Sequence, residues 1–462
     1  MSDLRAVAGA AADRIEATER RGLHAVLAFD RTTLLRQADA AADRTEAPLH
    51  GTVIGVKDNI ATLDYPTTCG SRILMGYRSP YEATAIRRLR EAGALIACKT
   101  NLDEFAMGSS TEHSAFGRTL HPERPELVSG GSSGGSAALV AAGAVDAALG
   151  SETGGSVRQP AAFCGVVGVK PTYGRVSRYG LVAFGSSLDQ IGVLARSVST
   201  AANVLSAISG RDPNDATCAD RSPFIPPEPP GNLSGLTVGI PAEYFPRDLD
   251  PGVRAACERA KRILRDAGAT LRDVSLPSTG LAIPTYYVIA PAEASSNLAR
   301  YDGARYGPRV TPPDGDVQAM FRATRGAGFG AEVRRRIIVG TYVLSAGYYD
   351  AYYRKALAAR WRIAQDFATA FRSGVDLLLT PTTPTTAFAA GERVDDPVAM
   401  YLADVFVCPA NLAWLCAISI PAGRANGLSV GVQLMGPQFG EGRMFQAATV
   451  LERATDAQAE VR

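Results

Sequence analysis

The sequence predicts an α/β protein whose central sheet carries helices on both of its faces. Apolar, β-branched segments of strand length alternate with alanine-rich segments of helical length through about residue 210, which is typical of a sheet between two helical layers. Further strand-like segments follow at residues 236–241, 375–386 and 427–437. With 462 residues, 46% of them hydrophobic, the chain is long enough to bury an extensive core.

The run TVIGV at residues 52–56 is the first strand that bears on function, because Lys57 follows it directly. Burial at the end of such a strand disfavours the ammonium form and lowers the pKa of a lysine, so Lys57 is a candidate general base. The alternative is a surface lysine that begins a loop.

Two glycine-rich segments come next, GGSSGGS at residues 130–136 and SETGGSVRQPA at residues 151–161. Glycine lets the main chain turn several N–H groups toward one point, so Thr153, Gly154, Gly155 and Ser156 form a candidate oxyanion hole with Ser156 at its centre. The segment AALVAAGAVDAALG at residues 137–150 predicts a packed helix after the first loop. A flexible linker is the simpler interpretation of GGSSGGS. A nucleotide-binding loop is excluded because neither GK[ST] nor GxGxxG is present there.

The second half begins with SPFIPPEPPGN at residues 222–232, which predicts an exposed connection. The strand LTVGIP follows at residues 236–241, and residues 252–269 have the charge spacing of a helix.

Composition argues against several classes of function. Lysine plus arginine number 48 and aspartate plus glutamate 46, so the chain lacks the basic excess of a protein that binds nucleic acid by itself. We find no signal peptide and no apolar stretch of membrane-spanning length. The seven cysteines are scattered, as free thiols of a reducing compartment would be. The four histidines show no metal-ligand spacing, and we expect neither a metal site nor a cofactor in this chain.

Two serines and a lysine without a nearby histidine indicate an unusual serine hydrolase. This set of residues resembles the catalytic residues of the amidase signature family. Lys57 and Ser132 are 75 residues apart, and Ser132 and Ser156 are 24 apart, which fits the spacing in that family. The resemblance implies that Ser156 is the acyl-enzyme nucleophile, Ser132 a bridging serine after a cis peptide bond, and Lys57 the base. We expect Ser133 and Ser136 to be structural hydrogen bonders. The resemblance also implies a mixed, many-stranded central sheet and a single domain over residues 1–462.

Three further segments narrow the resemblance to the glutamine-hydrolysing subunit of tRNA-dependent amidotransferases; they are residues 100–117, 169–192 and 345–356. The resemblance implies partner subunits B and C in a cytoplasmic heterotrimer. The first of these two partners would bind ATP and Mg²⁺ and would make most of the contacts with Glu-tRNA(Gln), which receives the ammonia released from glutamine.

Glutamine as substrate requires partners for its α-ammonium and α-carboxylate groups. The resemblance assigns this role to Tyr286, Arg336 and Asp404. Each has a simpler interpretation: Tyr286 as a core residue, Arg336 as one of three arginines on a solvated helix face, and Asp404 as a helix cap.

The chain departs from the family pattern in a few places. It reads SET at residues 151–153 where relatives have SDT, and Trp414 and Cys416 stand where relatives commonly have glycine and proline. A large indole at position 414 favours one alternative, a stand-alone amidase that acts on small or aryl amides. The other alternative is a non-catalytic scaffold.

Overall fold

The computed structural model describes residues 3–313 and 316–460. Its strands form one 11-stranded sheet in the order β1-β3-β2-β4-β6-β5-β10-β11-β9-β7-β8. The strands are β1 (Val26–Phe29), β2 (Val53–Lys57), β3 (Leu95–Thr100), β4 (Ala147–Glu152), β5 (Val167–Lys170), β6 (Gln190–Ala195), β7 (Thr237–Pro241), β8 (Thr270–Val274), β9 (Leu377–Pro381), β10 (Cys416–Ala425) and β11 (Leu428–Gly436).

The helices of the described residues are α1 (Leu4–Arg20), α2 (Arg31–Ala41), α3 (Thr84–Glu91), α4 (Gly134–Ala141), α5 (Arg158–Cys164), α6 (Val198–Ile208), α7 (Pro251–Asp266), α8 (Ala282–Asn297), α9 (Val317–Gly328), α10 (Ala331–Leu344), α11 (Lys355–Arg372), α12 (Pro397–Leu402), α13 (Cys408–Leu412) and α14 (Glu441–Glu460), and a π-helical segment spans Tyr349–Arg354. Several begin with an aspartate whose side chain accepts backbone N–H groups; Asp250, for example, accepts from Gly252 and Val253.

The sheet is mixed, as the family resemblance implied. Strand β2 lies parallel to β3 and β4, whereas β4 and β6 are antiparallel. Successive side chains of a strand point to opposite faces: in β4, Ala148 packs in one hydrophobic core, while Ala147 and Leu149 pack in another. The predicted α/β sheet with helices on both faces is therefore confirmed.

One predicted element is wrong in its second half. The helix predicted over residues 137–150 ends at Ala141, and Gly143 reverses the chain with a φ of +69°. Ala147–Glu152 is strand β4, because the small side chains of this run fit between β2 and β6 as well as they fit a helix. Alanine-rich sequence alone does not distinguish the two.

Other predicted elements occur close to their expected positions. The strand predicted at residues 52–56 is β2, and the later strands are β7, β9 and β11. Residues 222–232 have no regular structure and are largely exposed, although the Phe224 ring stacks on Phe445 with centroids 5.2 Å apart. Across the described ranges, no helix is both long enough and apolar enough to cross a bilayer. The assignment of residues 1–462 to one domain stays a prediction.

Candidate active site

The sheet brings the two candidate catalytic segments together at one edge. Lys57 is the last residue of β2, and Glu152 is the last residue of the neighbouring parallel strand β4. Because the carboxyl ends of parallel strands meet at the same edge of a sheet, Lys57 lies beside the turn that leads to Ser156. The backbone N–H of Ser133 donates to the Ser156 carbonyl at 3.1 Å, which joins the two glycine-rich loops.

Lys57 is fully buried and contacts three oxygen atoms. Its Nζ lies 2.8 Å from Ser132 Oγ, 2.9 Å from Ser133 Oγ and 3.2 Å from the Ser151 carbonyl oxygen. The interpretation of Lys57 as a surface lysine is therefore wrong, because the strand that precedes it lies within the sheet, between β3 and β4. The structure brings Lys57 and Ser132 into direct contact.

A neutral Lys57 has two amine hydrogens and one lone pair for its three oxygen contacts, and one arrangement directs the lone pair at Ser132. The Ser151 carbonyl can only accept, so it takes one amine hydrogen. In this arrangement Ser133 Oγ donates its own hydrogen to that same carbonyl at 3.2 Å and accepts the second amine hydrogen. The lone pair of the amine then faces Ser132, whose hydroxyl donates to Lys57 Nζ. Ser132 Oγ keeps its lone pairs free to accept a proton from another hydroxyl.

Burial favours the neutral form of this amine. Loss of hydration lowers the pKa of Lys57 to about 7, although the carboxylates of Asp103, Glu152 and Asp189 act in the opposite direction. Near neutral pH a large fraction of Lys57 is therefore unprotonated, as a general base must be.

The peptide bond between Gly131 and Ser132 is cis, as the family resemblance implied. The Gly131 N–H donates to Gln159 Oε1 at 2.9 Å, and Gln159 Nε2 donates to the Ser109 carbonyl at 2.8 Å. Helix α5, which begins just after Ser156, thus also fixes the loop that presents Ser132.

The turn over residues 153–156 has the geometry of an anion site. Within the described residues, none of its four amide N–H groups donates to an acceptor of the protein. Gly155 has a φ of +145°, and a side chain at Gly154 would approach the Tyr286 ring to 2.7 Å. Both glycines are therefore required where they stand. Ser156, at the end of the turn, is 8% exposed.

The turn is fixed from behind by Glu152, the residue that departs from the family pattern. Its carboxylate accepts the N–H groups of Val157 and Arg158 at 3.0 and 3.1 Å, and the Arg158 guanidinium at 2.5 Å. The Glu152 and Arg158 side chains are fully buried. Arg158 also donates to Gln433 Oε1 at 2.6 Å and to Asn411 Oδ1 at 2.6 Å, so the longer glutamate side chain is fully accommodated.

The three predicted substrate residues lie on one side of this turn. Tyr286 packs against Gly154, and Asp404 Oδ1 lies 3.2 Å from the place of a Gly155 side chain. The Arg336 guanidinium carbon lies 5.4 Å from the centre of the Tyr287 ring, which packs edge-on against Tyr286. All three predicted residues are at least nine-tenths buried, so Arg336 does not lie on a solvated helix face as the simpler interpretation held.

Two members of this trio, Arg336 and Asp404, carry groups of opposite charge. Arg336 Nε donates to Glu332 Oε1 at 2.7 Å, and this holds the guanidinium in place. Asp404 Oδ2 accepts the Ser109 hydroxyl at 2.5 Å, while its buried Oδ1 has no partner in the described residues. Burial raises the pKa of Asp404 to about 7. A bound ammonium group would satisfy Oδ1 and favour the carboxylate.

Sequence reasoning misses two residues of this site. It treats Ser133 as a structural hydrogen bonder like Ser136, yet Ser133 contacts the candidate base. It gives Asp189 no role, although Asp189 accepts the Thr153 hydroxyl at 2.7 Å and the N–H groups of Phe184 and Gly185. The adjacent serines in GGSSGGS are a usable signal for Ser133; Asp189 gives none, because its contact with Thr153 joins distant segments.

Trp414 lies against the loop 184–189, and Cys416 is the first residue of β10. The indole Nε1 donates to the Ser187 carbonyl at 3.2 Å, and the Arg360 guanidinium lies 4.1 Å from the indole ring centre. Trp414 has a φ of +59°, the left-handed conformation that glycine adopts most easily. Cys416 Sγ donates to the Pro437 carbonyl.

The described part of the chain holds no cluster of three or more potential metal ligands. The site consists of a buried lysine in contact with Ser132 and Ser133, a turn of free N–H groups that ends at Ser156, and the trio of Tyr286, Arg336 and Asp404. Such a site can form and break an acyl ester with its own residues.

Comparison with known proteins agrees with this chemistry. The family model Amidase matches residues 6–445. The A subunit of glutamyl-tRNA(Gln) amidotransferase from Carboxydothermus hydrogenoformans is 54% identical over 456 residues, covering 97% of this chain and 93% of that protein. The same subunit of Chloroflexus aggregans is 53% identical over 96% of this chain and 91% of its own length.

Solved structures give the same result. The crystal structure of the corresponding glutamyl-tRNA(Gln) amidotransferase subunit from Thermotoga maritima has a TM-score of 0.76 and 49% identity, over 88% of this chain and 84% of that one. Peptide amidase from Stenotrophomonas maltophilia has a TM-score of 0.82 and 31% identity, over 98% and 94%. Since the family model spans nearly the whole sequence and the relatives match it end to end, the chain belongs to the amidase family of enzymes.

Proposed function

We propose that this chain is the glutaminase subunit of a tRNA-dependent amidotransferase. It would hydrolyse glutamine and supply ammonia for the conversion of Glu-tRNA(Gln) to Gln-tRNA(Gln). The proposal includes partner subunits B and C in the cytoplasm, with ATP and Mg²⁺ bound by the first of them. Identity above 50% to the A subunit from two organisms, over more than 90% of each chain, supports this assignment.

The observation that carries the proposal is the trio of Tyr286, Arg336 and Asp404 beside the glycine turn. A buried guanidinium and a buried carboxylate with a free oxygen suit the two ends of an α-amino acid. The Tyr286 ring closes the space over Gly154. A simple aliphatic amide would leave the buried Oδ1 of Asp404 without a partner, which costs free energy that glutamine recovers.

In the reaction that we propose, the neutral Lys57 is the base and Ser132 relays the proton. Ser156 Oγ attacks the side-chain amide carbon of glutamine and gives its proton to Ser132, while Ser132 gives its own proton to the Lys57 lone pair. The amide oxygen becomes an oxyanion that the N–H groups of residues 153–156 stabilise. As the C–N bond breaks, Lys57 returns its proton through Ser132 to the nitrogen, which leaves as ammonia.

The second half of the reaction uses the same groups. A water molecule attacks the γ-glutamyl ester on Ser156, and its proton passes through Ser132 to Lys57. Collapse of the tetrahedral intermediate breaks the ester bond, and Ser156 regains a proton by the same path. Glutamate leaves, and Lys57 is again neutral.

The test is ammonia release from glutamine by the chain alone and by the chain assembled with subunits B and C, ATP and Glu-tRNA(Gln). We expect release in the assembled complex that depends on the charged tRNA, and loss of at least about 10³-fold in a Ser156→Ala complex. Ser136→Ala is the matched control, since Ser136 is a buried serine at the start of α4 that bonds to Thr100 and the Leu149 carbonyl. Release that ignores the tRNA would contradict the proposal.

A stand-alone amidase remains the second candidate, because peptide amidase from Stenotrophomonas maltophilia overlays nearly the whole chain. Trp414, the residue that favours this alternative, has its hydrogen bond and its cation–π contact with Ser187 and Arg360 instead of the substrate trio. This candidate predicts full turnover of peptide or aryl amides by the isolated chain. The two candidates are thus separated by the same assay with two substrates.

A further inference from the structure

Exposed apolar side chains are concentrated on one part of the surface. Of the 19 large apolar or aromatic residues that are exposed in the described chain, eight fall within residues 338–361. They are 38% to 69% exposed. We name these eight the tyrosine surface: Ile338, Val339, Tyr342, Tyr348, Tyr349, Tyr352, Leu357 and Trp361.

Three rings of the tyrosine surface form one cluster. The Tyr342 ring lies 4.3 Å from that of Tyr348 and 6.2 Å from that of Tyr352, centre to centre. Ile338 lies one turn before Tyr342 on α10, and Leu357 one turn before Trp361 on α11. The π-helical segment Tyr349–Arg354 connects the two rows and has no buried residue.

Helix α10 is apolar on two opposite sides. Its inner side packs closely against α8, where a side chain at Gly340 would collide with the backbone of Pro291. Val333 and Val343 on this side are buried. Its outer side presents Ile338, Val339 and Tyr342 to solvent. Exposed apolar patches of this kind mark interaction sites.

The rim of the tyrosine surface is basic. Between residues 333 and 363 the exposed charged residues are Arg334, Arg335, Asp350, Arg354, Lys355 and Arg362. Asp350, the one acid among them, pairs with Arg354 at 3.0 Å. A partner with an acidic edge around an apolar contact would match this arrangement.

We propose that the tyrosine surface is the docking site for another protein subunit of the same assembly, one that presents an apolar contact with an acidic rim. The inference rests on the proposed function, in which this chain works as one subunit of several. Tyr, Trp and Arg are the residues enriched at the centre of protein interfaces. The aliphatic side chains of Ile338, Val339 and Leu357 fit a protein partner better than a phosphate backbone.

The position of the tyrosine surface has a consequence for the site. Arg336 and Glu332 lie on the inner side of α10, and Ile338 lies on the outer side of the same helix. A partner docked on Ile338 is therefore about one helix diameter, roughly 10 Å, from the substrate arginine. Docking would hold α10 against α8 and the Tyr286 ring.

The experiment measures the affinity of the full chain for subunits B and C from the same source, by sedimentation velocity at physiological salt. Ile338→Glu and Trp361→Glu are the test variants, and both sites are more than 60% exposed, so the fold should tolerate them. Ile225→Glu is the matched control, because Ile225 is 81% exposed on the separate segment 222–232. Each test variant should weaken assembly by at least about 10-fold, and the control by less than about 2-fold.

Unchanged melting temperature of the isolated variants shows that a loss of affinity is not a loss of fold. Assembly of Ile338→Glu and Trp361→Glu as tight as that of the unmodified chain overturns the inference and leaves the proposed function intact. A loss of tRNA affinity in the complex with unchanged affinity between the subunits also overturns it, since the surface would then contact nucleic acid. Failure of the unmodified chain to assemble at all would instead reject the proposed function.

Discussion

Replacing Lys57 with methionine should abolish activity and yet stabilise the protein at low pH. Methionine has a similar length and fills the same buried space without a charge. The pKa of Lys57 is about 7 in the folded state and 10.5 ordinarily. Fully protonated Lys57 therefore lowers the free energy of unfolding by roughly 5 kcal/mol. The variant escapes that cost.

The variant also loses the three polar contacts of Lys57 with Ser132, Ser133 and Ser151. At about 1 kcal/mol each, these offset part of the gain and leave a net stabilisation of about 2 kcal/mol at pH 6. The direction follows from the lowered pKa. The cost of burying Lys57 is absent well above pH 10.5, grows as the pH falls, and becomes constant below about pH 7. At pH 10 the lost contacts dominate, and the variant should be less stable than the original protein.

The assay is the melting temperature of the isolated chain at pH 6, 8 and 10. For a protein of this length we expect about 1 °C per kcal/mol, so Lys57→Met should melt about 2 °C higher at pH 6 and about 2 °C lower at pH 10. Lys355→Met, at an exposed lysine of α11, is the control and should show no such crossing. A difference between Lys57→Met and the original protein that does not change with pH would refute the claim that burial lowers the pKa of Lys57.

Three further outcomes follow from the same geometry. The logarithm of kcat/KM for glutamine should rise with pH up to about 7 with a slope approaching two, because Lys57 must be neutral and Asp404 ionised. Hydrolysis of a neutral aliphatic amide requires only the neutral Lys57 and should give a slope of one. Equal slopes for the two substrates would contradict the role of Asp404. Arg336→Lys should raise KM for glutamine at least about 10-fold with a smaller change in kcat, since a lysine cannot bind a carboxylate through two parallel hydrogen bonds as a guanidinium does. An unchanged KM in steady-state kinetics would exclude Arg336 from the substrate site. Trp414→Gly should lower the melting temperature by about 1 to 2 °C, because the lost indole hydrogen bond and cation–π contact outweigh the relief of backbone strain at this left-handed position. The value of kcat/KM should change by less than about 3-fold. A larger loss of kcat/KM would mean that Trp414 takes part in the reaction.

Part of the site can be predicted because its signals are local. A β-branched run followed at once by a lysine indicates a buried amine at Lys57, and burial alone fixes the direction of its pKa. Glycines at positions 154 and 155 indicate a turn that no side chain could occupy, and the structure shows the Tyr286 ring and the Val407 side chain in the places where those side chains would lie. These inferences need only backbone rules and the cost of burying charge.

The rest depends on contacts between distant segments. Asp189 approaches Thr153 only because β4 and β6 are neighbours in the sheet, and no pattern within residues 184–189 states that. The run 137–150 resembles a helix throughout because alanine suits both a helix and a crowded central strand. The tyrosine surface also escapes sequence reasoning, since the outward direction of Ile338 and Tyr342 depends on how α10 packs against α8.

Carboxylates near Lys57 raise a question of magnitude, since three negative charges would ordinarily keep an amine protonated. Each of these charges is already engaged. Glu152 binds the Arg158 guanidinium, Asp189 accepts the Thr153 hydroxyl and two N–H groups, and Asp103 accepts N–H groups of residues 110–113. Burial therefore outweighs their attraction, and the pKa of Lys57 still falls to about 7. The same buried carboxylates hold the loops that carry Ser132 and Ser156, so they shape the site while raising the pKa of Lys57 less than burial lowers it.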